Sequence, residues 1–177
     1  MGIKSKSDIS NSAIRMLLQE AGHFYDEARG FKRFNTSSAE WKEVLRLFSN
    51  SCCYCGAALV KDNATNDHLI PINKTALGLH AWGNIVPCCQ RCNKEKHYGD
   101  WKVFIKKKSG GQFYKKRVDA IRQFQKKFKY NPNINLKDVA NNLYEDVGEV
   151  SSVLINLRLK QAREIIQSMV SSSHPKK

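Results

Sequence analysis

Two C-x-x-C pairs, Cys52-x-x-Cys55 and Cys89-x-x-Cys92, stand 33 residues apart in a chain of 177. A C-x-x-C turn brings two sulfurs to one metal, and four thiolates at tetrahedral angles suit Zn²⁺. Four protein ligands leave such an ion no open position for water. The expected site is therefore a structural staple that closes a segment with little core of its own. Gly56 permits the tight backbone that the first knuckle needs. Cys53 and Cys88 lack the spacing and are expected to be small buried apolar residues. Cysteines confined to two short groups are unlike a disulfide framework, which scatters them along a secreted chain.

Between the pairs lies Asn66-Asp67-His68-Leu69-Ile70-Pro71, followed by Asn84 and by Asn93-Lys94-Glu95-Lys96. These types suit phosphodiester cleavage. An imidazole of near-neutral pKa can take a proton from water. A carboxylate and an amide oxygen are hard ligands for Mg²⁺, which stabilises charge developing on phosphate and leaving oxygen. An Asp-His pair alone is a weak signal, since a strand histidine is more often a satisfied core residue. Its weight comes from the flanking knuckles and the following Cys-Asn-x-x-Lys. His97, one helical turn past Asn93, could add a metal ligand or a phosphate contact; the plainer reading, preferred here, is a helix C-terminal histidine. His80 reads as a loop residue or a nucleic-acid contact, and His23 and His174 carry no signal. Trp82 and Trp101 read as core, and Glu95 as solvent-facing.

The run C-x-Y-C-G, then D-H-x-I-P, then N-I-V-P-x-C-x-x-C-N-x-x-K resembles the HNH endonuclease family, the ββα-metal nucleases of restriction, homing and RNA-guided enzymes. The likeness covers residues 52–97, and the helical flanks carry no family signature. It implies two antiparallel strands and one helix around a single catalytic Mg²⁺, with Mn²⁺ as a substitute. It further implies in-line hydrolysis leaving 5′-phosphate and 3′-hydroxyl ends. His68 takes the place of the general base and Asp67 that of a metal ligand. Asn84 corresponds to the middle residue, which shapes the loop and orients the histidine. Asn93 stands where many members have histidine, and still offers an oxygen to Mg²⁺. One point resists: neighbours on a regular strand face opposite sides, so Asp67 and His68 can serve one phosphate only if the strand twists or ends there.

Thirty Lys and Arg face sixteen Asp and Glu, a net charge of +14. Thirteen basic and three acidic residues lie between Lys94 and Tyr130, so that block holds most of the surplus. Such a bias points to a polyanion, because each phosphate contact releases condensed counterions. Lys94, Lys96, Lys106, Lys107, Lys108, Lys115, Lys116 and Arg117 are expected to meet phosphates and position nucleic acid rather than read its sequence.

Helices must hold this segment. Residues 8–29 carry the stripe Ile14, Leu17, Leu18, Ala21 and Tyr25, with Asp8 or Ser10 as cap and Gly30 as the stop. A second helix starts near Ser37 or Ser38, with Ser37 and Glu40 as a capping box and Trp41, Val44, Leu45 and Phe48 inward. Leu59-Val60 and residues 66–72 read as strands, Ile85-Val86 as a short extended piece, and a helix runs from Cys89 to His97. Residues 100–107 and 112–129 read as two helices broken at Ser109-Gly110-Gly111. After Asn131-Pro132-Asn133, residues 136–169 are helical, with a bend near Gly148. The fold expected is α+β and mostly helical: N-terminal helices over 1–50, an HNH module with its Cys₄ zinc site over 51–98, a basic helical region over 99–170, and a disordered tail over 171–177.

No stretch approaches the roughly 20 apolar residues of a membrane helix. The start, Met1 to Lys6, has no apolar core for a secretory signal, and Gly2 lies in only a weak myristoylation context, so a cytoplasmic protein is expected. The resemblance implies a metal-dependent endonuclease on double-stranded DNA, of restriction, phage or defence kind. Cutting two strands with one site per chain favours a homodimer. The alternatives are a non-catalytic zinc-knuckle DNA-binding protein, which leaves Asp67, His68 and Asn93 idle, and an RNA nuclease, for which no aromatic RNP segment is present.

Overall fold

In the computed structural model, which describes residues 5–131 and 135–172, Ser5 opens the first helix, α1 (Lys6–Ala28). Ser5 Oγ accepts the Asp8 N–H at 3.2 Å and the Asp8 carboxylate accepts the Ser5 N–H at 2.9 Å. This reciprocal capping box displaces the expected caps at Asp8 and Ser10. Ser38, not Ser37, caps α2 (Ala39–Leu47), accepting the Trp41 N–H at 3.0 Å. Asn35 instead accepts the Ser37 N–H and shapes the turn before it.

The strands β1 (Ala64–His68) and β2 (Ile85–Cys89) pair antiparallel, with Ala64 opposite Cys89 and His68 opposite Ile85. The short helix α3 (Gln90–Lys96) follows β2 directly and packs on both strands. Every residue of β2 is buried, whereas β1 is partly open on one side. Leu59-Val60 does not form a strand. Asn63 Oδ1 accepts the Val60 N–H at 2.9 Å and pulls the chain into a turn, leaving one bridge between Ser51 and Ala58. β1 also starts and stops earlier than its sequence suggests. Beyond His68, the Asn84 side chain takes the Ile70 N–H at 2.8 Å and gives its own N–H to the Ile70 carbonyl at 2.9 Å. A single amide thus replaces a partner strand.

The long helix α4 (Trp101–Lys127) runs unbroken through Ser109-Gly110-Gly111. Two glycines in a helix cost about 1 kcal/mol each. Trp101, Phe104 and Ile105 on one side, and Val118, Ile121, Phe124 and Phe128 on the other, are buried in the same core. Each such side chain contributes about 1.5–3 kcal/mol, which outweighs the glycines. The last helix, α5 (Lys137–Ser172), is also one piece and passes Gly148 without ending, so that residues 173–177 of the expected tail lie outside the described residues. The break expected at Asn131-Pro132-Asn133 lies partly outside them too.

One core joins α2, β2, Leu69 just past β1, the cysteines and α4. A second joins Ile14 and Leu18 of α1 to Ile72, Leu79, Ala81, Tyr130 and Ala140. The two N-terminal helices are therefore built into the molecule, α2 in the first core and α1 in the second. Trp82 and Trp101 are core residues, as their surroundings in the sequence suggest.

Candidate active site

The sulfurs of Cys52, Cys55, Cys89 and Cys92 lie within 4.8 Å of one another, and all six cysteines are free thiols. The first pair sits on the knuckle before β1, the second where β2 passes into α3. Gly56 has φ +77°, and a Cβ there would collide with the Arg117 guanidinium laid across the turn. Arg117 donates to the Cys52 carbonyl at 3.1 Å. Its side chain braces the knuckle, so it is not a free phosphate contact. Burial raises the Cys52 and Cys92 thiols above their ordinary range. A cation among the four sulfurs would let them ionise together, so the donor set fits a soft tetrahedral metal. Cys53 and Cys88 are buried beside the cluster and outside it.

At the other end of the strands, a cleft of about 500 Å³ is lined by β1 from Thr65 to His68, by Asn93, Lys94 and His97 of α3 and its cap, and by Arg15 of α1. β1 ends at His68, which resolves the facing problem: Asp67 and His68 turn to different companions yet border the same cleft. Asp67 is buried. Its Oδ2 accepts the Tyr54 hydroxyl at 2.6 Å and pairs with Lys96 Nζ at 2.9 Å. Burial, followed by nearby Cys53 and Asp67, pushes the Tyr54 phenol well above its ordinary range, so it remains a donor. Lys96 is 3% exposed and also donates to the His68 carbonyl at 2.8 Å. It locks α3 to β1, and the expected phosphate contact at this position is not available.

His68 Nε2 lies 3.0 Å from His80 Nδ1. Burial holds the His68 imidazole far below its usual 6.5, at about 3, and His80, Lys96 and Arg15 act in the same direction. The ring is neutral at pH 7. Asn93 donates Nδ2 to the Asn66 carbonyl at 3.2 Å, which leaves its carbonyl oxygen for the cleft. Asn84 is fully buried behind this wall, with Nδ2 also given to the Leu79 carbonyl at 2.8 Å. It fixes the loop that carries His80 rather than touching His68.

Residues 52–103 match the model of the HNH endonuclease family. Over that span the ββα segment is similar to the HNH endonucleases. Its matched span runs past α3 into the first residues of α4. Among solved structures, the type II-C Cas9 enzyme from Actinomyces naeslundii aligns at 25% identity with a TM-score of 0.34, over 60% of this chain and 12% of that one. No curated protein matches the chain. Among the described residues, no helix is long and apolar enough to cross a membrane.

The ββα segment brings Asp67, His68, Asn93, Lys94 and His97 to one cleft and puts Asn84 behind it. His97 is exposed at the end of α3, with φ 49°, its ring against Tyr98. Of the expected basic contacts, Lys94, Lys106, Lys107, Lys115 and Lys116 are exposed, while Lys108 is paired with Glu95. Glu95 itself is exposed and ion-paired. Sequence reasoning missed Tyr54, Arg15 and His80. Tyr54 had a local cue in the C-x-Y-C run. Arg15 sits on the polar face of an ordinary amphipathic helix, and nothing local marks it. His80 is a loop residue, one of the two readings its sequence position allowed, and packs against Phe34, His23 and His68, which gives His23 a place too.

Proposed function

We propose that the chain is a metal-dependent DNA endonuclease with His68 as general base, a catalytic Mg²⁺ (Mn²⁺ substituting) and a structural Zn²⁺. The observation that carries the reading is the shared cleft. Among the described residues, His68 Nδ1, one Asp67 oxygen and the Asn93 carbonyl oxygen are the polar atoms these side chains leave without a protein partner. Two hard oxygens beside a neutral imidazole fit a divalent cation, and Asp67 and Asn93 would hold it. When bound, that ion supplies Lewis-acid stabilisation to the phosphate and leaving oxygen.

The chain's own groups do the rest. His68 takes the proton of an attacking water at Nδ1. Tyr54 and Lys96 grip one oxygen of Asp67 so that the carboxylate cannot swing away. Arg15 and Lys94, which both line the cleft, face the scissile phosphate. Lys106, Lys107, Lys115 and Lys116 hold the duplex backbone along α4, which makes binding salt-sensitive. Cys52, Cys55, Cys89 and Cys92 hold the zinc that keeps β1, β2 and α3 in register. A homodimer joined through α5 presents two clefts to the two strands of a restriction, phage or defence target.

Supercoiled plasmid incubated with Mg²⁺ or with EDTA, beside the His68→Ala variant, tests this. Wild type with metal should give nicked or linear DNA, and the variant should be slower by about 10²–10⁴-fold. Wild type that leaves plasmid intact in both Mg²⁺ and Mn²⁺, yet shifts it on a gel, would make the protein a zinc-knuckle DNA binder instead.

A further inference from the structure

His68 has two ring nitrogens, and only one can serve the cleft. Nε2 is turned to His80 Nδ1 at 3.0 Å, with the rings 5.2 Å apart and tilted by 47°. One hydrogen lies between these nitrogens. If His68 donates it, Nδ1 keeps its lone pair and can accept a proton from water. If His80 donates it, His68 carries its hydrogen on Nδ1 and cannot act as a base there.

His80 is held with unusual thoroughness for a loop residue. Its backbone N–H is given to the Leu18 carbonyl of α1 at 3.2 Å. Gly22, one turn further along α1, lies so close that a Cβ would collide with the His80 backbone. The rings of Phe34 and His23 meet the His80 ring edge-on, with centroids at 5.3 and 5.8 Å. On the far side Asn84 holds Leu79, the residue before it. Apart from Asn84, the hold on His80 comes from α1 and the segment after it, outside the span that matches the family model.

We propose that His80 is a positioning residue for the general base: its Nδ1 accepts the His68 Nε2–H, which sets the ring orientation and keeps the Nδ1 lone pair facing the cleft. The proposal rests on the nuclease reading above and adds to it a task for α1, which is to lock the acceptor. Partners that orient a working histidine through its second nitrogen matter by about 10–100-fold when removed.

Two measurements on the zinc-loaded full chain test it, and only the first needs activity. In plasmid cleavage, His80→Phe keeps a ring but no acceptor and should lower kcat about 10–100-fold with KM and DNA affinity unchanged. His80→Asn restores an acceptor at the same place and should recover most of the rate. Equal rates for wild type and His80→Phe, or equal loss in both variants, would sink the proposal. Separately, ¹⁵N shifts of the imidazole rings report the tautomer without any turnover. The His68 ring should be the Nε2–H form in wild type and lose that preference in His80→Phe. A wild-type His68 in the Nδ1–H form overturns the proposal, whatever the plasmid assay says. An inactive wild type with the Nε2–H form would instead count against the nuclease reading alone.

Discussion

Asp67 and Lys96 form a buried ion pair at the wall of the cleft. Removing one partner of such a pair leaves an unbalanced charge away from water. Here the pair has a second use, since Lys96 also holds the His68 carbonyl. The same economy governs the cysteines. Four of the six sulfurs form one cluster, while Cys53 and Cys88 back onto it as buried thiols. Cys52→Ser or Cys89→Ser should therefore abolish stoichiometric zinc and melt the module, because metal binding and folding are coupled. Cys53→Ala and Cys88→Ala should retain one zinc per chain and lose only the cost of a small cavity. Zinc released on unfolding, titrated against a colorimetric chelator, checks this. Equal zinc loss on changing Cys53 would mean that the ligand register is wrong. The clustering of Cys52, Cys55, Cys89 and Cys92, and the placing of Asp67, His68 and Asn93 on one cleft with Asn84 behind it, were legible because their cues are local spacings. Tyr54, Lys96 as a brace, His80 and Arg15 were not, because each depends on which elements the fold sets side by side.

At the scale of elements, α1 does more than flank the module. Asp26 is fully buried near its end, pairs with Arg29 and accepts the Trp82 N–H at 3.1 Å. Arg29 reaches the Trp82 carbonyl at 3.2 Å and the Phe128 carbonyl, tying α1 to the β1–β2 loop and to the end of α4. Burial raises the Asp26 carboxyl from 3.8 to about 6, against the opposing pull of Trp82 and Arg29. The folded state thus binds this proton more tightly than the unfolded chain. Its stabilising contribution is complete below pH 4 and is lost as pH rises through 6. The difference is worth about 3 kcal/mol at most. Asp26→Asn cannot titrate, so the Tm difference between wild type and variant should move against wild type as pH goes from 4 to 7. A difference that stays flat over that window would show the carboxylate to be ionised throughout. Helix stripes gave α1, α2 and α3 close to their true bounds. Three elements were misread: burial on both sides carries α4 through its glycines, the Asn84 amide ends β1 early, and the Asn63 side chain turns the expected strand at Leu59-Val60.

At the scale of the whole molecule, α5 stands apart. Its first part lies along α1, where Ser10 gives its hydroxyl to the Tyr144 carbonyl at 2.8 Å. Beyond Ser152 the helix runs on with Val153, Leu154, Ile155, Leu157, Leu159 and Ile166 all exposed. A monomer rarely shows so continuous an apolar surface without a partner for it. Ile155, Leu159, Ala162 and Ile166 follow the four-three spacing of a coiled-coil seam. A second copy of the same helix is the simplest complement, since a two-fold interface is self-complementary. Light scattering of the full chain should then give a dimer at micromolar concentration, and the double variant Ile155→Glu, Leu159→Glu a monomer. Both positions are exposed in the single chain, so the variant should keep its Tm within about 1 kcal/mol of stability. Its clefts stay intact, so it should still nick plasmid while wild type goes on to linear product. A wild-type monomer, or a variant that remains dimeric, would rule out α5 as the joint. A dimer that nicks no better than the monomer would separate assembly from the cutting of the second strand.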